Sequence, residues 1–193
     1  MILSNLKNKR IILASKSPRR QQLLKGLAIE FDIRTLDVDE SFPAALQREE
    51  IPLFLSKVKA QAFKETMADD EIIITADTVV WVNDHVLNKP EDRDDAMKML
   101  GELSGNTHIV YTGVTVMSKE KSISFVDSTE VDFRELDNQE LEYYIDSFQP
   151  YDKAGAYGVQ EFIGYIGIKE LRGSYFNVMG LPVHRLYEIL KEY

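Results

Sequence analysis

A carboxylate inside a β-branched run is costly to bury without a partner, and Asp77 stands in such a run, with Ile72, Ile73 and Ile74 before it and Val79, Val80 and Val82 after. It either points into a cleft, where it can move a proton, or serves as a hydrogen-bonded structural group at a strand end. A second candidate is Leu13 to Arg20, LASKSPRR, where an apolar run breaks into serines, a proline and paired arginines. Ser17 suits a helix N-cap and Pro18 the first helical position. Free N–H groups, the helix dipole and the guanidinium groups of Arg19 and Arg20 would make a place for a phosphate. The ordinary alternative is a strand-to-helix turn with solvated arginines. Ser15 lies in the same stretch.

Glu40 follows in an acidic loop, Asp37 to Phe42, and with Asp77 would supply the hard oxygen ligands that Mg²⁺ or Mn²⁺ prefers. Taken alone it reads as a solvated loop acid. Lys59 and Lys89 each read singly as surface lysines, but Arg19, Arg20, Lys59 and Lys89 together with the two carboxylates would compose a triphosphate and metal site. The loop Lys153 to Gln160, KAGAYGVQ, has glycines that allow close approach to a base or sugar, and Gln160 can both donate and accept along a pyrimidine edge.

Composition narrows the classes. The charge is 23 − 32 = −9, which argues against binding a nucleic-acid polymer or an anionic membrane and makes any phosphate site a local concentration of positive charge. Zero cysteine excludes disulfides, thiolate metal sites and cysteine nucleophiles. His85, His108 and His184 are scattered without ligand spacing, and neither G-x-x-x-x-G-K-[ST] nor G-x-G-x-x-G is present. No run approaches the roughly 18 apolar residues of a spanning helix, and Met1 to Arg10 has no apolar signal core, so a cytoplasmic protein is the expectation.

The elements that must position these residues follow from periodicity. Ile11 to Ala14 reads as a buried strand, Gln21 to Leu27 as helix, Ile29 to Leu36 as a second strand, and Leu53 to Met67 as an amphipathic helix carrying Lys59. Glu71 to Val82 is the clearest strand. Asn83-Asp84 turns into Val86-Leu87, and Asp92 to Leu103 is a helix closed by Gly105. His108 to Met117 and Ile123 to Phe133 alternate as a paired ribbon. Leu136 to Phe148 is a helix, Ile163 to Ile168 a strand interrupted by glycines, Ser174 to Val178 loop or short strand, and Leu181 to Tyr193 a terminal helix. The pattern predicts one α/β domain over 1–193 with a mixed twisted sheet and flanking helices.

Six collinear motifs, LASKSPRR, ADTVV (76–80), NKP (88–90), YTGV (111–114), KAGAYGVQ and GLP (180–182), closely resemble the Maf family of nucleoside triphosphate pyrophosphatases. The resemblance implies a fold similar to the inosine triphosphate pyrophosphatases, with two lobes around a central groove, a divalent metal cation (Mg or Mn), a nucleoside triphosphate substrate and often a homodimer. It places the catalytic aspartate on Asp77, substrate-binding residues on Ser15, Arg20, Lys59 and Lys89, metal ligands on Glu40 and Asp77, and substrate specificity on Arg19, Thr78 and Gln160. ADT with GAYGVQ is similar to the dTTP/UTP branch, and Glu161-Phe162 replaces the glycine common after the glutamine. The implied reaction cleaves between the α- and β-phosphates with Asp77 as general base. A nucleotide-binding regulator linked to cell division, and a house-cleaning enzyme for modified nucleotides, are the other expectations the same residues allow.

Overall fold

The computed structural model describes residues 3–193. Strand β1 (Arg10–Leu13) leads into α1 (Pro18–Lys25), then β2 (Asp32–Ile33), α2 (Glu50–Gln61), β3 (Glu71–Val82), β4 (His85–Leu87) and α3 (Arg93–Leu103). There follow β5 (Thr107–Met117), β6 (Ser122–Phe133), α4 (Asn138–Phe148), α5 (Phe162–Gly167), β7 (Ile168–Arg172), α6 (Tyr175–Val178) and α7 (Val183–Leu190). The strands form one mixed sheet in the order β2-β1-β3-β5-β6-β7, with β4 paired to β3. β1 runs parallel to both neighbours, Ile12 opposite Asp32 on one side and Ile73 on the other. β4 returns antiparallel on β3 through Asn83 and Asp84, both at positive φ (45° and 61°), the backbone that a two-residue hairpin turn demands. No helix of the described residues is long and apolar enough to cross a membrane.

The chain divides into two compact units, one of 1–77, 112–127 and 180–193, the other of 78–111 and 128–179. In the first, Ile12, Ala60, Phe63, Met67, Ile73 and Met117 form a buried cluster. Two periodicities set α2 on its strands. Thr75 and Asp77 are two apart and share a face of β3, while Ser56 and Lys59 are three apart and share a face of α2. The Thr75 hydroxyl donates to the Ser56 carbonyl at 2.7 Å, and Ser56 Oγ is 3.0 Å from Thr115 Oγ1 on β5. Gly113 lies two residues before Thr115, where a Cβ would come within 2.3 Å of the Pro52 carbonyl carbon and oxygen. Only a residue with no side chain admits the start of α2 at that distance.

In the second unit α3 packs on α4, with Ala96, Leu100 and Leu103 buried from one helix and Leu141, Tyr144 and Ile145 from the other. Asp92 caps α3 by accepting from the Asp95 N–H at 2.8 Å, and Asp137 and Glu140 cap α4 reciprocally. His108, Phe133 and Tyr157 meet edge to face, their ring centroids 5.2–5.3 Å apart.

Four expected elements differ. The expected strand Ile163 to Ile168 is helix α5 up to Gly167, because Gly164 lets the turn close on the preceding loop: a Cβ there would lie 2.0 Å from the Val159 carbonyl oxygen. The strand comes after it, as β7, whose Arg172 pairs with Glu130 across the edge at 2.8 Å. Ser174 to Val178 contains helix α6, capped by Ser174, which accepts from the Asn177 N–H at 3.3 Å. Ile29 to Leu36 shortens to the two residues of β2, an outer strand with Ile33 half exposed. The Leu53 to Met67 periodicity is real, but α2 ends at Gln61 and the remainder continues as tight turns that still bury Phe63 and Met67.

Candidate active site

The first unit assembles its charged residues from the ends of β1 and the middle of β3. Ala14 N–H donates to the Ile74 carbonyl at 2.8 Å, so the chain leaving β1 runs alongside β3 as that strand approaches Asp77. Ser15, buried, accepts from the Ser17 N–H at 3.2 Å, and Ser17 Oγ accepts from the Arg20 N–H at 3.5 Å as the cap of α1. Arg20 is turned inward. Its Nε donates to the Gly180 carbonyl at 2.8 Å and its Nη1 to the Ala76 carbonyl at 2.9 Å, so its guanidinium braces the residue before Asp77. Burial pushes the Arg20 guanidinium down from its ordinary range, Arg19 acts in the same direction, and Asp77 and Glu40 oppose them. Arg19, on the same turn, is half-buried.

Asp77, Lys59 and Glu40 converge. Lys59 Nζ lies 2.6 Å from Asp77 Oδ1 and 3.2 Å from Glu40 Oε1, the Asp77 and Lys59 side chains nearly covered (12% and 16% exposed) and that of Glu40 open (55%). A buried carboxylate in an apolar strand is tolerable because this ammonium compensates it. The same geometry tests the fit of a divalent cation. The two carboxylates already meet on one positive charge, and two carboxylates completed by phosphate oxygens and water are a usual donor set for Mg²⁺. Among the described residues no group of three or more His, Cys, Asp or Glu could hold a metal without a ligand's help. Asp77 and Glu40 are two oxygen donors of the kind a hard divalent cation takes, and its further ligands would have to come from outside the chain.

The second unit holds the remaining predicted residues. Thr78 follows Asp77 in β3 and is half-buried. Lys89 is exposed, in a segment tied down by the Gly155 N–H, which donates to the Asn88 carbonyl at 3.0 Å. Gly155 at φ +67° packs against Val80, where a Cβ would meet the side chain at 3.0 Å, and Ala156 is held at φ +58°, a strained conformation for a residue other than glycine. Gln160 closes the loop with its Oε1 buried and without a hydrogen-bond partner. A buried acceptor left in that state costs about 1–3 kcal/mol, which a ligand's N–H donor would recover.

Three residues of this loop network were not among the sequence candidates. Glu161 Oε1 lies 3.2 Å from the buried Lys153 ammonium, and its Oε2 accepts from the Tyr144 hydroxyl at 2.5 Å. Tyr144 sits on the buried face of α4 and reads from the pattern as plain core. Its one sequence signal is the polar tip on an otherwise apolar stripe.

Relatives of the same length are similar along the whole chain. A dTTP/UTP pyrophosphatase of Parabacteroides distasonis is 51% identical over 193 residues, covering all of both chains. A dTTP/UTP pyrophosphatase of Phocaeicola vulgatus is 52% identical over 192 residues, covering 99% of this chain and all of that one. The solved dITP/XTP pyrophosphatase of Mycobacterium abscessus overlaps partially, at TM-score 0.41 and 13% identity, across 95% of this chain and 97% of that one. The family model for Maf-like protein matches residues 10–193, and with this full-length similarity the chain belongs to the Maf-like family.

Proposed function

We propose that this protein hydrolyses a pyrimidine nucleoside triphosphate, dTTP or UTP, between its α- and β-phosphates, releasing the nucleoside monophosphate and pyrophosphate. The observation that carries the reading is the Lys59 ammonium of α2 held at once by Asp77 of β3 and by Glu40, a cation-and-carboxylate cluster that presents a proton acceptor beside a positive charge. Full-length relatives named for dTTP and UTP support the choice of substrate. So does the unpaired Gln160 acceptor, because the N3–H of uracil or thymine is a donor and the N3 of cytosine is not.

In this mechanism Asp77 accepts a proton from the water that attacks the α-phosphorus. The bond from that phosphorus to the bridging oxygen breaks, and pyrophosphate leaves with the electron pair. Lys59 exchanges its carboxylate partners for phosphate oxygens as the anion enters, which frees Asp77 to accept the proton. Arg20, Ser15 and the capped start of α1 oppose the charge on the departing group, Lys89 adds a further cation, and Arg19, Thr78 and Gln160 set the choice of nucleotide. A divalent cation, Mg²⁺ or Mn²⁺, would be held by Asp77 and Glu40 and would neutralise phosphate charge and acidify a bound water. The reaction is proposed for the cytoplasm, on a free nucleotide, with a second copy of the chain as the one macromolecular partner.

The test is a panel of nucleoside triphosphates with Mg²⁺ or Mn²⁺, scoring pyrophosphate against orthophosphate. Pyrophosphate from dTTP and UTP is expected. Orthophosphate alone would refute α,β cleavage, and binding without any release would favour a nucleotide-binding regulator. Glu40→Gln should raise the metal concentration for half-maximal rate on the order of tenfold.

A further inference from the structure

The residue after Gln160 is Glu161, and the structure gives its side chain work. Glu161 is half-buried against four partners within the second unit. Its Oε2 accepts from the Tyr144 hydroxyl at 2.5 Å, its Oε1 stands 3.2 Å from the Lys153 ammonium, and its backbone carbonyl accepts from the N–H groups of Gly164 and Tyr165 at 2.9 and 3.2 Å. The Tyr144 oxygen in turn accepts from the Gly158 N–H at 3.0 Å, so one hydroxyl joins α4 to both sides of Gln160. Two glycines make the arrangement compact. A Cβ on Gly158 would fall 2.7 Å from Glu161 Cδ, and one on Gly164 would fall 2.0 Å from the carbonyl oxygen of Val159. Gly158 and Glu161, on either side of Gln160, are thus pinned, while Gln160 itself keeps a buried, unpartnered Oε1.

A carboxamide recognises an N–H donor only if its oxygen is held where the donor arrives, and a loop of small residues has no intrinsic means of doing so. We propose that Glu161, held by Tyr144 and Lys153, is a positioning residue that fixes the Gln160 carboxamide for a uracil or thymine edge and against cytosine. This rests on the reading of Gln160 as the residue that senses the base. Burial and the adjacent carboxylate raise the Tyr144 phenol above its ordinary range, so the hydroxyl stays a donor to Glu161 across the whole working pH range. Lys153 is shared with Asp152 at 2.6 Å, so one ammonium serves two carboxylates and the Tyr144 hydroxyl is the second group that holds Glu161.

The experiment compares kcat and KM for dTTP and dCTP in the full-length protein and in Tyr144→Phe, Glu161→Gln, Gln160→Ala and the double variant Glu161→Gln/Gln160→Ala. Tyr144→Phe deletes a single oxygen and keeps the ring in the core, so it guards against a Glu161 variant that does not fold. The expected result is a roughly tenfold or greater fall in the dTTP-over-dCTP ratio of kcat/KM in both single positioning variants. The fall should come from a raised KM for dTTP with kcat nearly unchanged, and the double variant should be no worse than Gln160→Ala alone. A merely structural role would lower both nucleotides alike and leave the ratio where it was, and that result in folded Tyr144→Phe overturns the positioning role. If Gln160→Ala itself leaves the ratio unchanged, the base-sensing assignment fails and the proposal falls with it.

Discussion

At Asp77 the physical chemistry is one of competing partners. The carboxylate is nearly buried, and Lys59, 2.6 Å away, supplies the charge that makes this tolerable. Replacing Asp77 by Asn keeps the shape and removes the proton acceptor, so kcat should fall about 10²- to 10⁴-fold with little change in the melting temperature. Steady-state kinetics beside thermal denaturation checks both halves of that expectation. His108 offers a second test at this scale. Burial depresses its imidazole from 6.5 to about 3, and it contributes one hydrogen bond at 2.8 Å, to Tyr157. Between those two values the unfolded chain binds a proton that the folded chain does not, so stability falls as pH drops from about 6.5, by up to about 1.4 kcal/mol per unit. Paired carboxylates such as Glu71, held low chiefly by Arg34, add their loss only at lower pH, which leaves the window from about 6 to 5 to the histidine. His108→Asn should flatten the melting-temperature profile in that window; an unchanged slope would place the proton elsewhere. That Asp77 needs a partner is legible in the sequence, because an acid in a β-branched run is costly to bury alone. The inward turn of Arg20 onto the Ala76 and Gly180 carbonyls is not, since nothing near Arg20 in the chain announces two carbonyls from distant segments.

Among the elements, α2 sits on its strands with little tolerance. Gly113 in YTGV leaves room for the Pro52 carbonyl at 2.3 Å from a would-be Cβ, and Thr75 and Thr115 hold Ser56 one turn before Lys59. Gly113→Ala should therefore push the helix off its strands, costing about 1–3 kcal/mol or more by denaturant titration and reducing activity through the displaced Lys59. A variant of normal stability and activity would contradict the placement of α2. Strand β3, a β-branched run, the alternating strands β5 and β6, and the capped helices α1, α3 and α4 are all readable from the chain, because composition, period and cap residues are local signals. The region after Gln160 is not readable in the same way. Gly164 there serves a helical turn packed on its own preceding loop, and a glycine inside an apolar run looks the same whether it interrupts a strand or closes a helix. The outer strands β2 and β7 are short or charged, which removes the alternation that reveals inner strands.

At the scale of the whole molecule, net charge and local charge pull apart. A chain of net charge −9 keeps its candidate phosphate contacts in a few named side chains, so it should show no salt-sensitive shift of a labelled 30-base-pair duplex at micromolar protein in about 0.15 M salt. A shift that weakened with added salt would contradict the assignment to a free nucleotide. The two compact units divide the candidates: Ser15, Arg19, Arg20, Glu40, Lys59 and Asp77 belong to one, and Thr78, Lys89, Gln160 and the Glu161 network to the other. The membership of those units was not legible, since each gathers segments far apart in sequence, whereas the motifs themselves were. In the proposed reaction water reaches the α-phosphorus and Asp77 takes its proton. The most direct measurement is hydrolysis of dTTP in ¹⁸O-labelled water with the products resolved by mass. Label in the monophosphate, at a rate that collapses in Asp77→Asn, is the predicted result; label in pyrophosphate or orthophosphate, or an undiminished rate in the variant, would contradict it.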